Sequence, residues 1–174
     1  MYKKILLATD GSEHSIRGAK SVIEICENKD CHVVIFHSIK HISDKISSVE
    51  SSLNNTHFVN NTIAGMPYFT YSENIVDLSS YENIHEYKED LVKIGSDILN
   101  YKNAMFETAH IPVETRLIED EDPEDYILRI IKEENFDLVV IGSKGIHSKL
   151  EEIFIGSIAQ KVINHSTCDV LVIK

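Results

Sequence analysis

A chain of 174 residues, 43% hydrophobic and 26% charged, has the length and composition of one globular domain with a full core. No apolar stretch approaches the roughly 20 residues that span a bilayer, and a formal charge of −11 repels nucleic acid and anionic membranes, so neither is expected as a partner. Cys26, Cys31 and Cys168 are odd in number and include no Cys-x-x-Cys pair, which points to reduced thiols, with Cys26 in the core, rather than a disulfide framework or a structural zinc site.

In chain order, residues 3–9 form a short apolar strand, and Ile16, Ala19, Val22, Ile23 and Cys26 follow at helical spacing. The apolar run breaks at Thr9-Asp10 after four residues, well short of a secretory signal core, and a cytoplasmic protein is expected. Residues 32–39 hold the β-branched and aromatic run Val33-Val34-Ile35-Phe36 of a buried strand. Residues 40–83 are a long polar insertion, rich in Ser and Asn, that carries the aromatic patch Gly65-Met66-Pro67-Tyr68-Phe69-Thr70-Tyr71. A structureless stretch of this length is uncommon in a compact domain. Ile84, Tyr87, Leu91, Ile94, Ile98, Tyr101 and Met105 then alternate at three and four residues, the stripe of an amphipathic helix packed on a sheet.

A third strand covers residues 113–118. Asp122-Pro123-Glu124-Asp125 starts a helix, with Asp at the N-cap and Pro at the first helical position, and Tyr126, Ile127, Ile130 and Ile131 mark its buried face. The acidic run 119–125 reads as a solvated helix start rather than a metal site. Leu138-Val139-Val140-Ile141 is the fourth strand, a helix over about 150–164 buries Ile153, Ala159, Val162 and Ile163, and residues 170–173 are the fifth. Strands alternating with helices give an α/β fold, a parallel sheet covered on both faces.

The fourth strand runs directly into Gly142-Ser143-Lys144-Gly145, and ten residues later comes Gly156-Ser157. A strand leading into a glycine-bearing turn and a helix start offers free backbone N–H groups and a positive dipole end, as a phosphate chain requires. The expectation is nucleotide binding. Asp10, Ser38 and Gly142 all lie at carboxyl ends of strands, where open α/β sheets bind ligands. Lys144 or Lys149 would neutralise phosphate charge, and His147 would be a further donor on the phosphate side. Asp10 has a competing reading as a turn residue, since Asp-Gly-Ser is common turn chemistry.

Three features resemble the universal stress protein family: the opening Lys4-Ile5-Leu6-Leu7-Ala8-Thr9-Asp10-Gly11-Ser12, the Gly142-x2-Gly145 to Gly156-Ser157 motif, and the terminal Cys168-Asp169-Val170-Leu171-Val172-Ile173. The resemblance covers nearly all of the chain outside residues 40–83. It implies a single domain over 1–174 and an open five-stranded Rossmann-like sheet of the adenine nucleotide alpha hydrolase type, in strand order 3-2-1-4-5. It also implies ATP binding, with a phosphate-bound magnesium ion as a natural addition. By resemblance, Ala8, Thr9 and Asp10 approach adenine and ribose, and Ser38 offers backbone groups to the adenine edge. Ile141, Gly142 and Gly145 line ribose and phosphates, and Gly156, Ser157, Ile158 and Ala159 hold the phosphate tail. The implied role is regulatory rather than enzymatic, through a ligand-dependent conformational or assembly change, with a homodimer formed through strand 169–173.

Two positions depart from the family pattern. The loop between Gly145 and Gly156 is one residue longer, and Glu121 stands where glycine is usual before Asp122-Pro123. If Glu121 faces the pocket it repels triphosphate unless magnesium intervenes. These departures keep open a second reading, a dimeric interaction module that has lost nucleotide binding.

Overall fold

Ile5, Leu6 and Leu7 are fully withdrawn from water, so both faces of their strand must be covered and both of its edges paired. The computed structural model describes residues 2–40, 69–71, 74–76, 84–144 and 155–174. Strand β1 (Lys4–Ala8) is flanked by β2 (His32–Ser38) and β6 (Leu138–Gly142); β5 (Val113–Ile118) lies outside β2 and β7 (Asp169–Ile173) outside β6. All four pairings are parallel. Counted over these five strands the order is the expected 3-2-1-4-5. Within the 40–83 insertion, β3 (Phe69–Tyr71) and β4 (Asn74–Val76) form a separate antiparallel pair, and Gly65, Met66, Pro67 and Tyr68 of the aromatic patch lie outside the described residues.

Alternation along the strands divides the core in two. Ile5, Leu7, Val33, Ile35 and Val140 face α1 (Glu13–Cys26) and α2 (Ile84–Thr108), meeting Ala19, Val22, Leu99 and Phe106. Leu6, Val34, Phe36, Val139 and Ile141 face α3 (Pro123–Glu133) and α4 (Ser157–His165), meeting the four expected α3 residues, Tyr126, Ile127, Ile130 and Ile131, with Ala159 and Val162. Cys26 is buried as expected. The turn after α1 also brings Cys31 near it, and burial, with Cys31 as a neighbour, pushes Cys26 up to about 12, while the Cys31 thiol donates to the Tyr2 carbonyl at 3.6 Å.

Two expectations are corrected. On α2 the buried residues are Leu91, Gly95, Leu99, Lys102 and Phe106, while Ile94, Ile98 and Met105 are half-buried and Tyr101 is 57% exposed. A strict three-four repeat averages 3.5 residues per turn and rotates about 20° per heptad around a straight helix, so the apolar stripe drifts out of contact before Tyr101. Gly95 sets the close approach: a Cβ there would lie 2.6 Å from Leu117 Cδ1 and 3.1 Å from His37 Cδ2. Helix α4 starts at Ser157 rather than near Leu150, because Ile155 and Gly156 are not helical and Gly156 is an extended N-cap (φ −60°, ψ 158°). Leu150 and Ile153 lie outside the described residues. Ile163, expected in the core, is 41% exposed, since α4 lies over the edge of the sheet where β7 ends it.

Polar groups fasten the amino ends of the strands. Asp137 accepts from the Lys3 and Lys4 N–H groups at 2.8 and 2.9 Å, and Lys4 Nζ donates to Glu134 Oε2 at 2.9 Å. Arg116 donates to both Glu134 oxygens at 2.7 and 3.1 Å and to Tyr126 Oη at 3.2 Å, joining β5 to α3. The Arg116 bonds, then Lys4, hold the Glu134 carboxyl down at about 2, from an ordinary 4.5. A depressed carboxyl contributes stability in full above its unfolded-state value and loses it as pH falls through the folded one. Glu134→Gln is therefore expected to lower the melting temperature by about 2–6 °C at pH 7, and the gap to the parent to close as pH falls from 4.5 toward 2, in paired thermal melts.

Candidate functional site

The chain places β1, β2 and β5 on one side and β6 and β7 on the other, so connections leave the carboxyl ends of β1 and β6 in opposite directions and open a crevice between them. Thr9 and Asp10 end β1 on one wall, and Gly142, Ser143 and Lys144 end β6 on the other. Ser143 N donates to the Ile173 carbonyl at 2.7 Å, and its own carbonyl accepts from Gly156 N at 2.7 Å. That second bond seats the start of α4 on the end of β6. The crest is close-packed: a Cβ on Gly142 would lie 3.2 Å from His14 Cβ and 3.3 Å from the Lys144 carbonyl oxygen, and one on Gly156 would lie 3.4 Å from the Ser143 carbonyl oxygen.

The helix starts around this crevice differ in what occupies their positive ends. Helix α1 is capped by its own side chain, Ser12 Oγ accepting from Ser15 N at 3.2 Å, and carries Glu13 in its first turn. Helix α3 begins with Glu124 and Asp125. Helix α4 has glycine at the N-cap, no side-chain cap among the described residues and no acidic residue in its first turn, the arrangement that suits an anion at a helix start.

The floor is polar and buried. His37 Nδ1 lies 2.7 Å from the Thr9 carbonyl, which can only accept, so Nδ1 carries the proton. Burial lowers the His37 pKa, against smaller opposing contributions from that bond and from Asp10, and keeps the ring neutral. The Thr9 residue is 6% exposed and its hydroxyl has no hydrogen-bond partner among the described residues. Lys102, 1% exposed on α2, has an amine in the same condition.

The predicted site residues therefore converge, with distinctions. Thr9, Asp10, Gly142, Gly156 and Ser157 lie at the carboxyl ends of β1 and β6 and at the start of α4, while Ala8 and Ile158 are partly buried against the core. Ile141 and Ala159 point into the core, so only their backbones are available to a ligand. Asp10 fulfils its turn role, Oδ1 accepting from Ser12 N at 3.0 Å. Ser38 donates through Oγ to the Glu121 carbonyl at 3.0 Å and ties β2 to the turn before α3. The Glu121 carboxylate is engaged by Arg129 at 2.6 and 3.0 Å. Gly145, His147 and Lys149 lie outside the described residues. Sequence reasoning missed Lys102, although a stripe read through Leu91, Leu99 and Phe106 contains it. Among the described residues no cluster of three or more His, Cys, Asp or Glu could hold a metal ion, and no helix is long and apolar enough to cross a membrane.

Thr9→Val removes an unpartnered buried hydroxyl and is expected to raise the melting temperature of the ligand-free protein by about 2–6 °C; an unchanged or lower value would show that the hydroxyl is already satisfied.

The chain is 29% identical over its full length, and the relative's, to the universal stress protein YxiE of Bacillus subtilis. The solved structure of the protein MJ0577 superposes with a TM-score of 0.72 at 25% identity, covering 100% of this chain and 96% of that one. A universal stress protein family protein from Arabidopsis thaliana, At3g01520, solved with AMP bound, shares the fold at 16% identity and a TM-score of 0.61, covering 99% and 91%. With the family's sequence model matching residues 1–63 and 69–174, the chain belongs to the universal stress protein family.

Proposed function

We propose that this protein is an adenine-nucleotide-binding member of its family, one domain over residues 1–174, taking ATP with magnesium carried on the phosphates. The observation that carries this reading is the start of α4: an N-terminus without acid or side-chain cap, held on the end of β6 by the 2.7 Å bond from Gly156 N to the Ser143 carbonyl. This favours an anion at the α4 start, across from the Thr9 hydroxyl, which has no partner among the described residues. Phosphates belong at α4, with Gly142, Gly145, Gly156, Ser157, Ile158 and the Ala159 N–H. Adenine and ribose belong toward Ala8, Thr9, Asp10, Ile141 and the Ser38 backbone. AMP in the Arabidopsis relative supports the choice of an adenine nucleotide.

The role is regulatory, with no catalytic residue. Arg116 is committed to Glu114 and Glu134, Arg129 to Glu121 and Glu133, and Arg17 lies exposed on α1, so no arginine is poised over the phosphates. Strand β7 is an open edge with Val170, Leu171 and Val172 only half-buried, which favours a homodimer through 169–173 as the assembly that nucleotide would bias.

Nucleotide-stripped protein with Mg-ATP at 100 times its dissociation constant should gain about 2.7 kcal/mol, a rise of roughly 5–10 °C in melting temperature. Asp10→Ala and Gly156→Val should each abolish the rise while the far-ultraviolet circular dichroism of the ligand-free protein is unchanged. No rise in the parent would leave the dimeric interaction module as the function.

A further inference from the structure

The least expected group in the molecule is the Lys102 ammonium. It lies on the sheet-facing side of α2, in line with Gly95, Leu99 and Phe106, and is 1% exposed. Among the described residues its Nζ has no hydrogen-bond partner, and it stands 5.6 Å from the centre of the Tyr101 ring. A buried charge with so little compensation weakens a fold, so its presence calls for another explanation. Position supplies one. Gly95 of α2 packs against His37 and Leu117 at the carboxyl ends of β2 and β5, whereas Phe106 at its other end bonds through its carbonyl to Ile111 N, just before β5 begins. Helix α2 thus runs antiparallel to the strands. Helical side chains lean toward their own N-terminus, so the Lys102 stem climbs toward the strand ends that border the crevice. The acid whose field reaches it there is Asp10.

We infer that Lys102 is an electrostatic positioning residue of the nucleotide site: its buried positive charge offsets Asp10, so that Asp10 serves the nucleoside end of the ligand without repelling its phosphates. This inference rests on the nucleotide-binding reading above. A carboxylate at the mouth of an anion site opposes the ligand at every pH where both are ionised, and a cation behind it, shielded from water, cancels that field more effectively than an exposed one. Among the described residues, the titratable groups that act on Lys102 are Asp10 after β1 and Tyr101 beside it on α2, and His37 of β2 packs against Gly95 two turns earlier on the same helix. Burial lowers the Lys102 pKa to about 8, against the opposing pull of Asp10, so the counter-charge disappears on going from neutral to alkaline pH.

The test compares AMP with adenosine by calorimetry on the full chain, without magnesium, at pH 7.0 and 9.5. At pH 7.0 His37 is neutral and the AMP phosphate is already mostly dianionic. In the parent, AMP is expected to bind about 5–10-fold more weakly at pH 9.5 while adenosine changes less than twofold. Lys102→Met should bind AMP at pH 7.0 with the weakened affinity, lose the pH dependence, leave adenosine unaffected, and melt at a higher temperature than the parent. Asp10→Asn should remove most of the effect of Lys102→Met on AMP. Equal losses of AMP and adenosine in Lys102→Met, or AMP binding in the parent that does not change with pH, would overturn this inference alone. Failure of the parent to bind either ligand at both pH values, and ATP with magnesium as well, would overturn the nucleotide-binding reading and this inference with it. Lys102→Gln repeats the comparison if the methionine variant does not fold.

Discussion

Strand β1 is hydrogen-bonded along both edges and covered on both faces, and the rest of the molecule follows from that double constraint. An interior parallel strand cannot be reached by a hairpin, so each neighbour must arrive by a crossover, and the crossovers become the helices that cover the sheet. The chain fills the β2 and β5 side first and then crosses to β6 and β7, which makes the carboxyl end of β1 one wall of the crevice. The opposite end of the same strand is fastened by Asp137 and Glu134. Rigidity at one end leaves the other free to carry loops.

A chain with a net charge of −11 builds an anion site only by local arrangement of charge. Around the crevice, acids are matched by the protein's own cations. Arg129 holds Glu121, and Lys161 on α4 reaches across to Asp125 at 2.6 Å on α3. These surface pairs add little stability, but they redirect acidic side chains away from the helix start that has none. Within the helix itself, the first turn brings no acid to the start of α4, so its own contribution there is that of its backbone. It depends on the first turn, Ser157-Ile158-Ala159, far more than on the overall charge of the chain.

The fold was legible wherever local pattern and tertiary demand coincide. The five strands, α1 and α3 carry apolar runs or stripes, α3 with a clear start at Asp122-Pro123, and the buried face of α3 is the one the spacing indicates. Legibility failed where a partner surface decides the outcome. On α2 the heptad stripe and the observed contact face share Leu91 and diverge by Tyr101, because a strict heptad stripe needs a supercoil to stay in register and α2 lies on a sheet. On α4 the apolar residues before Gly156 suggested an earlier start than the extended N-cap allows. Cys26 and Cys31 look unpaired in sequence and meet only because the turn after α1 folds back to β2.

The same division runs through the site. The order of residues alone determined that glycines follow an apolar strand, that Asp10 and Ser38 end strands, and that the motifs resemble those of universal stress proteins, since these are properties of short segments. Only the tertiary structure decided that Glu121 turns to Arg129, that the buried Thr9 hydroxyl has no partner among the described residues, and that Lys102 lies buried on the sheet-facing side of α2. Each of these depends on groups distant in sequence, and the energy of a charge or a polar group is set by what surrounds it in space rather than by its neighbours along the chain.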